Sequence, residues 1–260
     1  MQSSNPTLNE NVFQQVGSGV QGQTMTIQGA VNKTLILLGL LLVAAGWIWF
    51  KIIQPAQVVG FEVEPIARHN QQAVMPFVIG GMIGGIIFAL VTVFKKEWSM
   101  YTAPVYAVCE GLVLGGISAI FETMYPGIVM QAVALTFGTL FCLLMAYKSG
   151  LIRVTDKFRL GVVAATGAIA LVYLVSWILG FFHVAVPFIQ GNSIWSIGFS
   201  LLVVGIASMN LVLDFDMIDR GAEAGVPKYM EWNCAFGLMV TLVWLYMEIL
   251  RLLSKLRSRD

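Results

Sequence analysis

Five carboxylates stand within or at the edge of long apolar stretches: Glu110, Asp214, Asp216, Glu231 and Glu248. A charged group at mid-bilayer costs at least about 2.5–3.5 kcal/mol, so each of these needs a partner, a proton or a watered path. Glu110 lies about six residues, roughly 9 Å, inside its helix start. It reads either as a hydrogen-bonded or protonated tie between helices, or as a carboxylate lining a polar path. Asp214 and Asp216 close an apolar run, in a last turn where acids oppose the helix dipole. A solvated helix end is the plain reading of them, and an ion path the sharper one. Asn210, four residues before Asp214, extends a polar stripe on the same face. Glu248 stands three residues before Arg251, so a local ion pair is one reading of it. Asp and Glu also supply the oxygen ligands that calcium prefers.

The nucleophile and metal templates fail. The two histidines, His69 and His183, fall in stretches between spans, and no HExxH is present, which removes the zinc-protease template. A membrane-embedded serine nucleophile would need an embedded histidine. The GxGD signature of an intramembrane aspartyl protease is missing. Cys109, Cys142 and Cys234 are far apart and fit no CxxC spacing, so they read as small buried hydrophobes. The expectation is a protein that is not an enzyme and carries neither a cofactor nor a bound metal centre.

The elements that must position these groups are membrane helices. Apolar residues make up 58% of the chain and charged residues only 11%, against about 25% in a globular protein. Mean hydropathy is +0.81. A net charge of +1 offers no excess of positive charge for nucleic acid. A crossing helix needs about 20 mostly apolar residues. Spans are expected near 34–53, 75–94, 104–121, 126–147, 160–182, 194–214 and from Trp232 into the basic tail. Residues 160–213 carry no Asp, Glu, Lys or Arg, and His183–Pro187 with Gln190–Asn192 divide that stretch in two.

The fold class is therefore all-α, a polytopic bundle of about seven transmembrane helices. Residues 1–30 form a polar tail, 31–256 one transmembrane domain, and 257–260 a basic tail. The N-terminal residues lack a basic stretch followed by an apolar one, so no cleavable signal peptide is expected. Lys33, Lys95, Lys96, Lys148, Arg153, Lys157, Arg159, Arg220 and Lys228 fall on one side. Lys51, Arg68, Arg251, Lys255, Arg257 and Arg259 fall on the other. That bias puts the N-terminus in the cytoplasm. Gly80, Gly81, Gly84 and Gly85, and then Gly111 and Gly115, give the i, i+4 spacing that lets helix backbones approach closely.

The segments Asp214-Phe-Asp-Met-Ile218 and Leu245-Tyr-Met-Glu-Ile-Leu250 resemble the Bax inhibitor-1 (transmembrane BAX inhibitor motif) family. Met25–Thr34, Ala103–Ser118, Lys157-Phe-Arg159 and Glu231–Glu248 resemble its bacterial branch. The resemblance covers nearly all of the chain after residue 24. It implies six helices around a central seventh, a pH-sensitive calcium leak, a role in stress control, and a bacterial inner (plasma) membrane as the location. It also implies a proton-sensitive pair of acids in spans six and seven, with Asp214 as the first and Glu248 as the second. On a straight seventh helix Glu248 lies 17 residues, about 25 Å, from Glu231. Asp214 meets Glu248 if that span starts outside the membrane or bends near Gly237; otherwise its partner is Glu231.

Two carboxylates close together in low dielectric share one proton and titrate as a coupled pair. Asp214 and Glu248 are accordingly the expected gating residues, with Glu110, Asp216, Asn210 and Glu231 along the ion path. The partners expected are the lipid bilayer and calcium ions. A different class of function competes with this one: a non-conducting regulator that binds a membrane protease or a stress-response partner.

Overall fold

A computed structural model of the chain describes residues 24–52 and 66–182, positions 186, 189 and 191, and residues 193–259. Most of the expected tail at 1–30 therefore lies outside the described residues, as does His183. Seven long helices run through the described chain. They are α1 (Ile27–Ile52), α2 (Ile66–Phe94), α3 (Ser99–Met124), α4 (Ile128–Lys148), α5 (Asp156–Phe181), α6 (Ile194–Glu223) and α7 (Met230–Arg257). A single 3-10 turn, Lys96–Trp98, links α2 to α3. All seven helices are long and apolar enough to cross a bilayer. The expected all-α bundle of seven spans is what the chain forms.

Local chemistry sets the helix starts. Thr155 caps α5 by accepting from Phe158 N at 3.2 Å, and Ser193 caps α6 by accepting from Ser196 N at 3.3 Å. Between α3 and α4 the chain turns through Gly127, whose φ of 82° suits a residue without a side chain. The Glu122 carboxylate from the end of α3 accepts from Gly127 N and Val129 N, at 2.6 and 3.2 Å. An anion thus sits on the positive end of α4. Ahead of α1, Met25 N donates to Val226 O at 2.8 Å and ties the chain to the α6–α7 turn.

α7 lies at the centre, packed against α1, α3, α4 and α6. Of its most apolar window 61% is buried, against 17–44% for the other six helices. Its Phe236 stacks edge-on against Tyr106 of α3 at 5.0 Å between ring centres. The outer helices turn large apolar side chains outward instead, such as Val43, Phe50, Leu160, Leu171 and Trp177. In a bilayer that face meets lipid.

Several boundaries differ from expectation. α2 begins at Ile66, nine residues before 75, so that His69 lies within the helix rather than between spans, and α3 begins at Ser99, five residues before 104. α1 begins at Ile27, seven residues before the apolar run, because Thr34 and Ala30 are already buried against the bundle. α6 continues nine residues past Asp214, so neither Asp214 nor Asp216 closes the helix. Met217, Ile218 and Gly221 are buried in the core, and that packing carries the helix on where hydropathy alone falls away.

Candidate functional site

Polar side chains line a seam between α5, α6 and α7. At one end Arg159, in the first turn of α5, donates to Asp216 Oδ2 at 2.7 Å, and Arg220 Nε reaches the same oxygen at 2.9 Å. The side chains of Arg159 and Asp216 are 6% and 13% exposed, so this pair is nearly dry. Further along, Asn210 donates to Thr166 Oγ1 at 2.8 Å and to Ile206 O at 2.9 Å. Next comes Glu248, which accepts from the Tyr173 hydroxyl at 3.0 Å and from Arg251 at 3.0 and 3.1 Å. The Arg251 guanidinium also lies 5.2 Å over the Tyr173 ring. At the far end Lys255 donates to Ser200 Oγ and to Ile189 O, each at 2.8 Å.

The seam is long on the scale of a bilayer. Asp216 and Ser200 are sixteen residues apart on α6, which is about 24 Å of helix, against a hydrocarbon core about 30 Å thick. Beyond Asp216 the seam opens into a cavity of about 540 Å³, lined by Tyr147, Lys148, Arg153, Asp216, Asp219 and Glu223. Three embedded acids, Asp214, Asp216 and Glu248, stand among four bases, Arg159, Arg220, Arg251 and Lys255. The charges along the seam are therefore close to balanced.

Asp214 is buried on the same helix, 4% exposed, but shares its level with neither candidate partner. α6 and α7 form an antiparallel hairpin between Glu223 and Met230. Nine residues back from Glu223 is Asp214, and nine on from Met230 is Met239. Glu248 lies nine residues beyond that level, about 13 Å along the axis, and Glu231 eight before it, about 12 Å. The Lys255–Ser200 bond at the other end holds the same register.

Glu231 has its own partners. Its carboxylate pairs with Lys33 of α1 and accepts from Thr26 N at 2.9 Å and Thr26 Oγ1 at 3.1 Å. A Cβ at Gly29 would collide with that carboxylate, so glycine is what lets the acid settle against α1. Lys33 also sits 5.6 Å from the Trp232 ring centre. This cluster ties α1 to the start of α7 and stands apart from the seam. Just before α7, Tyr229 is held by Ser99 Oγ, which donates to its carbonyl at 3.3 Å. Burial, and then the neighbouring Glu97, push the Tyr229 phenol above its ordinary range.

Glu110 also lies away from the seam. It is half-buried on α3, hydrogen-bonded to Tyr106, with its Oε2 3.5 Å from where a Cβ at Gly85 of α2 would stand. Of the expected site residues, then, Asp216, Asn210 and Glu248 share one seam, Asp214 is buried on α6 near Cys234 of α7, and Glu110 and Glu231 mark two other contacts. The expected Glu248–Arg251 pair is present.

The family model described as Bax inhibitor 1 like matches residues 5–258, nearly the whole chain. The chain belongs to that family. No similar curated protein and no similar solved structure was found. The resemblance read from Asp214–Ile218 and Leu245–Leu250 thus extends over the full bundle.

In this Bax inhibitor-like chain, several seam residues escape a reading centred on acids. Arg159 and Lys255 look like loop and tail charges, yet they are 5% exposed. Thr166, Tyr173 and Ser200 are uncharged. A signal exists all the same: Arg159, Thr166 and Tyr173 recur every seven residues on α5, and Thr241, Glu248 and Lys255 do so on α7. On α6 the buried Ser196, Ser200, Val203, Ala207, Asn210 and Asp214 alternate steps of four and three. Such spacing keeps one stripe of each helix facing a partner.

Proposed function

We propose that the protein is a pH-sensitive calcium leak of the inner bacterial membrane, with the α5–α6–α7 seam as its path. One observation carries the reading: a run of polar side chains that extends about 24 Å along the bundle and ends in a polar cavity. Hydrocarbon makes such a run costly, and conduction is a function that repays it. Asp216 and Glu248 are each tied to arginines that also contact α5 side chains or belong to α5. Protonating either carboxylate removes the charge that holds its arginine, and α5 is then free to move off the hairpin. Flux therefore rises as pH falls. Asp214, buried between these two ties, is the carboxylate that an incoming cation meets along the path.

The test is calcium uptake by dye-loaded liposomes holding the purified chain, followed across pH. Uptake above that of protein-free liposomes, rising toward acid, is expected. Glu248→Gln should flatten the profile and Asp214→Asn should lower uptake. No uptake at any pH would overturn the reading.

A second reading has its own support. The acids and bases of the seam nearly balance, which also suits a closed bundle that acts by binding a membrane protease or stress-response protein. Absence of uptake together with co-purification of such a partner would decide for it.

The α1 N-terminal end, with Lys33, Lys148, Arg153 and Lys228, faces the cytoplasm in this proposal. A cysteine at the exposed Ser149, in a chain lacking Cys109, Cys142 and Cys234, should be labelled by an impermeant reagent only after the membrane is opened. Labelling of intact cells would reverse the orientation.

A further inference from the structure

Lys255 is a buried cation that, among the described residues, no carboxylate holds at short range. It is 5% exposed, and its ammonium is bound by oxygens: Ile189 O and Ser200 Oγ at 2.8 Å, and Ser196 O at 3.4 Å. The cage is dry, with Ser196 and Ser200 no more than 1% exposed and Ile189 8%. An ammonium has three donors and no acceptor, and three neutral oxygens meet it here. Two of them are backbone carbonyls. Rings of carbonyl oxygens are how selective channels replace the water of a weakly hydrated monovalent cation. The same oxygens that solvate an ammonium can solvate such an ion.

We infer that Ile189 O, Ser196 O and Ser200 Oγ form a site for a weakly hydrated monovalent cation, filled by the protein's own Lys255. The lysine is a tethered plug at the end of the seam remote from the 540 Å³ cavity. Removing the side chain leaves these buried oxygens short of a donor, Ile189 O keeping only the Ser196 hydroxyl at 3.5 Å, and that shortage is a demand that a free cation meets. The site stands on this coordination alone. Its consequence for flux rests on the leak proposed above: with the plug in place, a cation entering at that end meets Lys255 and then Arg251 before it reaches Glu248.

Thermal melting of the purified full chain in detergent tests the site without any flux. Potassium chloride is compared with N-methylglucamine chloride at equal ionic strength. The native chain should melt at one temperature in both. Lys255→Ala should melt lower than the native chain in N-methylglucamine and regain part of the loss in potassium. Adding Ser200→Ala to it should remove that gain. Lys255→Gln, whose amide can donate to the same oxygens, should fold without preference for either salt. A Lys255→Ala chain indifferent to the cation, or one that folds in neither salt while Lys255→Gln folds, would overturn the site. So would a gain that survives the loss of the Ser200 hydroxyl. In liposomes Lys255→Ala should raise potassium flux by about tenfold, the effect of removing one like charge from the path. A potassium-stabilised variant with no flux would keep the site and sink the leak.

Discussion

The bundle has two halves built by different means. Where α3 packs on α1 and α2, backbones touch. A Cβ at Gly111 would strike the carbonyl of Leu41, one at Gly115 the carbonyl of Ala45, and one at Gly81 would come within 2.7 Å of Cys109 O. Where α5 packs on α6 and α7, glycine plays no such part, for a Cβ added at Gly161, Gly167, Gly198 or Gly205 would meet nothing within 4 Å. Polar side chains span the gap instead, through Arg159–Asp216, Thr166–Asn210 and Tyr173–Glu248. Backbone contact holds whatever the pH. Bonds to carboxylates depend on protonation. The first half is a frame, and the second is the half able to part.

The sharpest way to break that contrast is to place the same substitution in each half. Gly111→Leu drives a side chain into the α1 backbone, and overpacking of this kind costs about 3 kcal/mol or more when backbone cannot yield. Gly167→Leu enters open space on α5 and should cost under about 0.5 kcal/mol. Thermal melting of both variants in detergent decides it. Equal losses would mean that α5 is as closely packed as α3.

A smaller loss is expected from the polar half. Arg159→Ala strips the buried Asp216 of one of its two arginines while leaving Arg220. Removing one partner of a buried pair costs about 3–5 kcal/mol when nothing replaces it, so about 2 kcal/mol is expected here. Asp216→Asn in the same chain should restore much of the loss, because no buried charge is then left short. If the double variant is as unstable as the sum of the single ones, the two residues are not coupled.

How far these halves can be read from residues alone follows from the same physics. Hydropathy finds all seven helices, since each crosses the membrane and must be apolar over about 20 residues. The glycine spacing marks the frame at 81, 84, 111 and 115, while a Cβ at Gly80 would meet nothing within 4 Å. The seam is harder. Hydropathy ends span six at Asp214, but Arg159 and Arg220 neutralise Asp216 and the helix runs on to Glu223. Arg159 and Lys255 belong by sequence to a loop and a tail, and only folding brings them to Asp216 and Ser200. Glu248–Arg251 and Asp216–Arg220 are local pairs within one helix, but other partners are long-range facts. Glu231 finds Lys33, 198 residues away.

That pair gives the next prediction. Lys33→Met leaves Glu231 with Thr26 alone, at a site where the lysine side chain is 17% exposed and the acid 1%. The loss should be about 1–2 kcal/mol, less than for Arg159→Ala because Thr26 keeps two hydrogen bonds to the carboxylate. Because this cluster lies outside the seam, the pH profile of calcium uptake should not move. A shifted profile would join the α1 contact to the gate and erase the division into halves.

The smallest effect on stability falls on the residue that reports the division most directly. The Tyr173 hydroxyl donates to Glu248 and accepts from Arg251 at 2.8 Å, so it is the link from α5 to an ion pair otherwise contained within α7. Tyr173→Phe keeps the ring, its edge contact with Phe199 at 6.1 Å and its place beneath Arg251, and it leaves the Glu248–Arg251 pair intact. The loss should be about 1 kcal/mol, that of one net hydrogen bond. The effect on uptake should be larger than that figure suggests, since only the tie across the seam is cut. With α5 less firmly held, uptake should already be raised at neutral pH and should gain less on acidification than in the native chain. Arg251→Met is the contrast: it leaves Glu248 buried with Tyr173 as partner and should lose more stability than Tyr173→Phe. A Tyr173→Phe chain with a native uptake profile would mean that α5 does not move, and the two halves would then differ in construction but not in function.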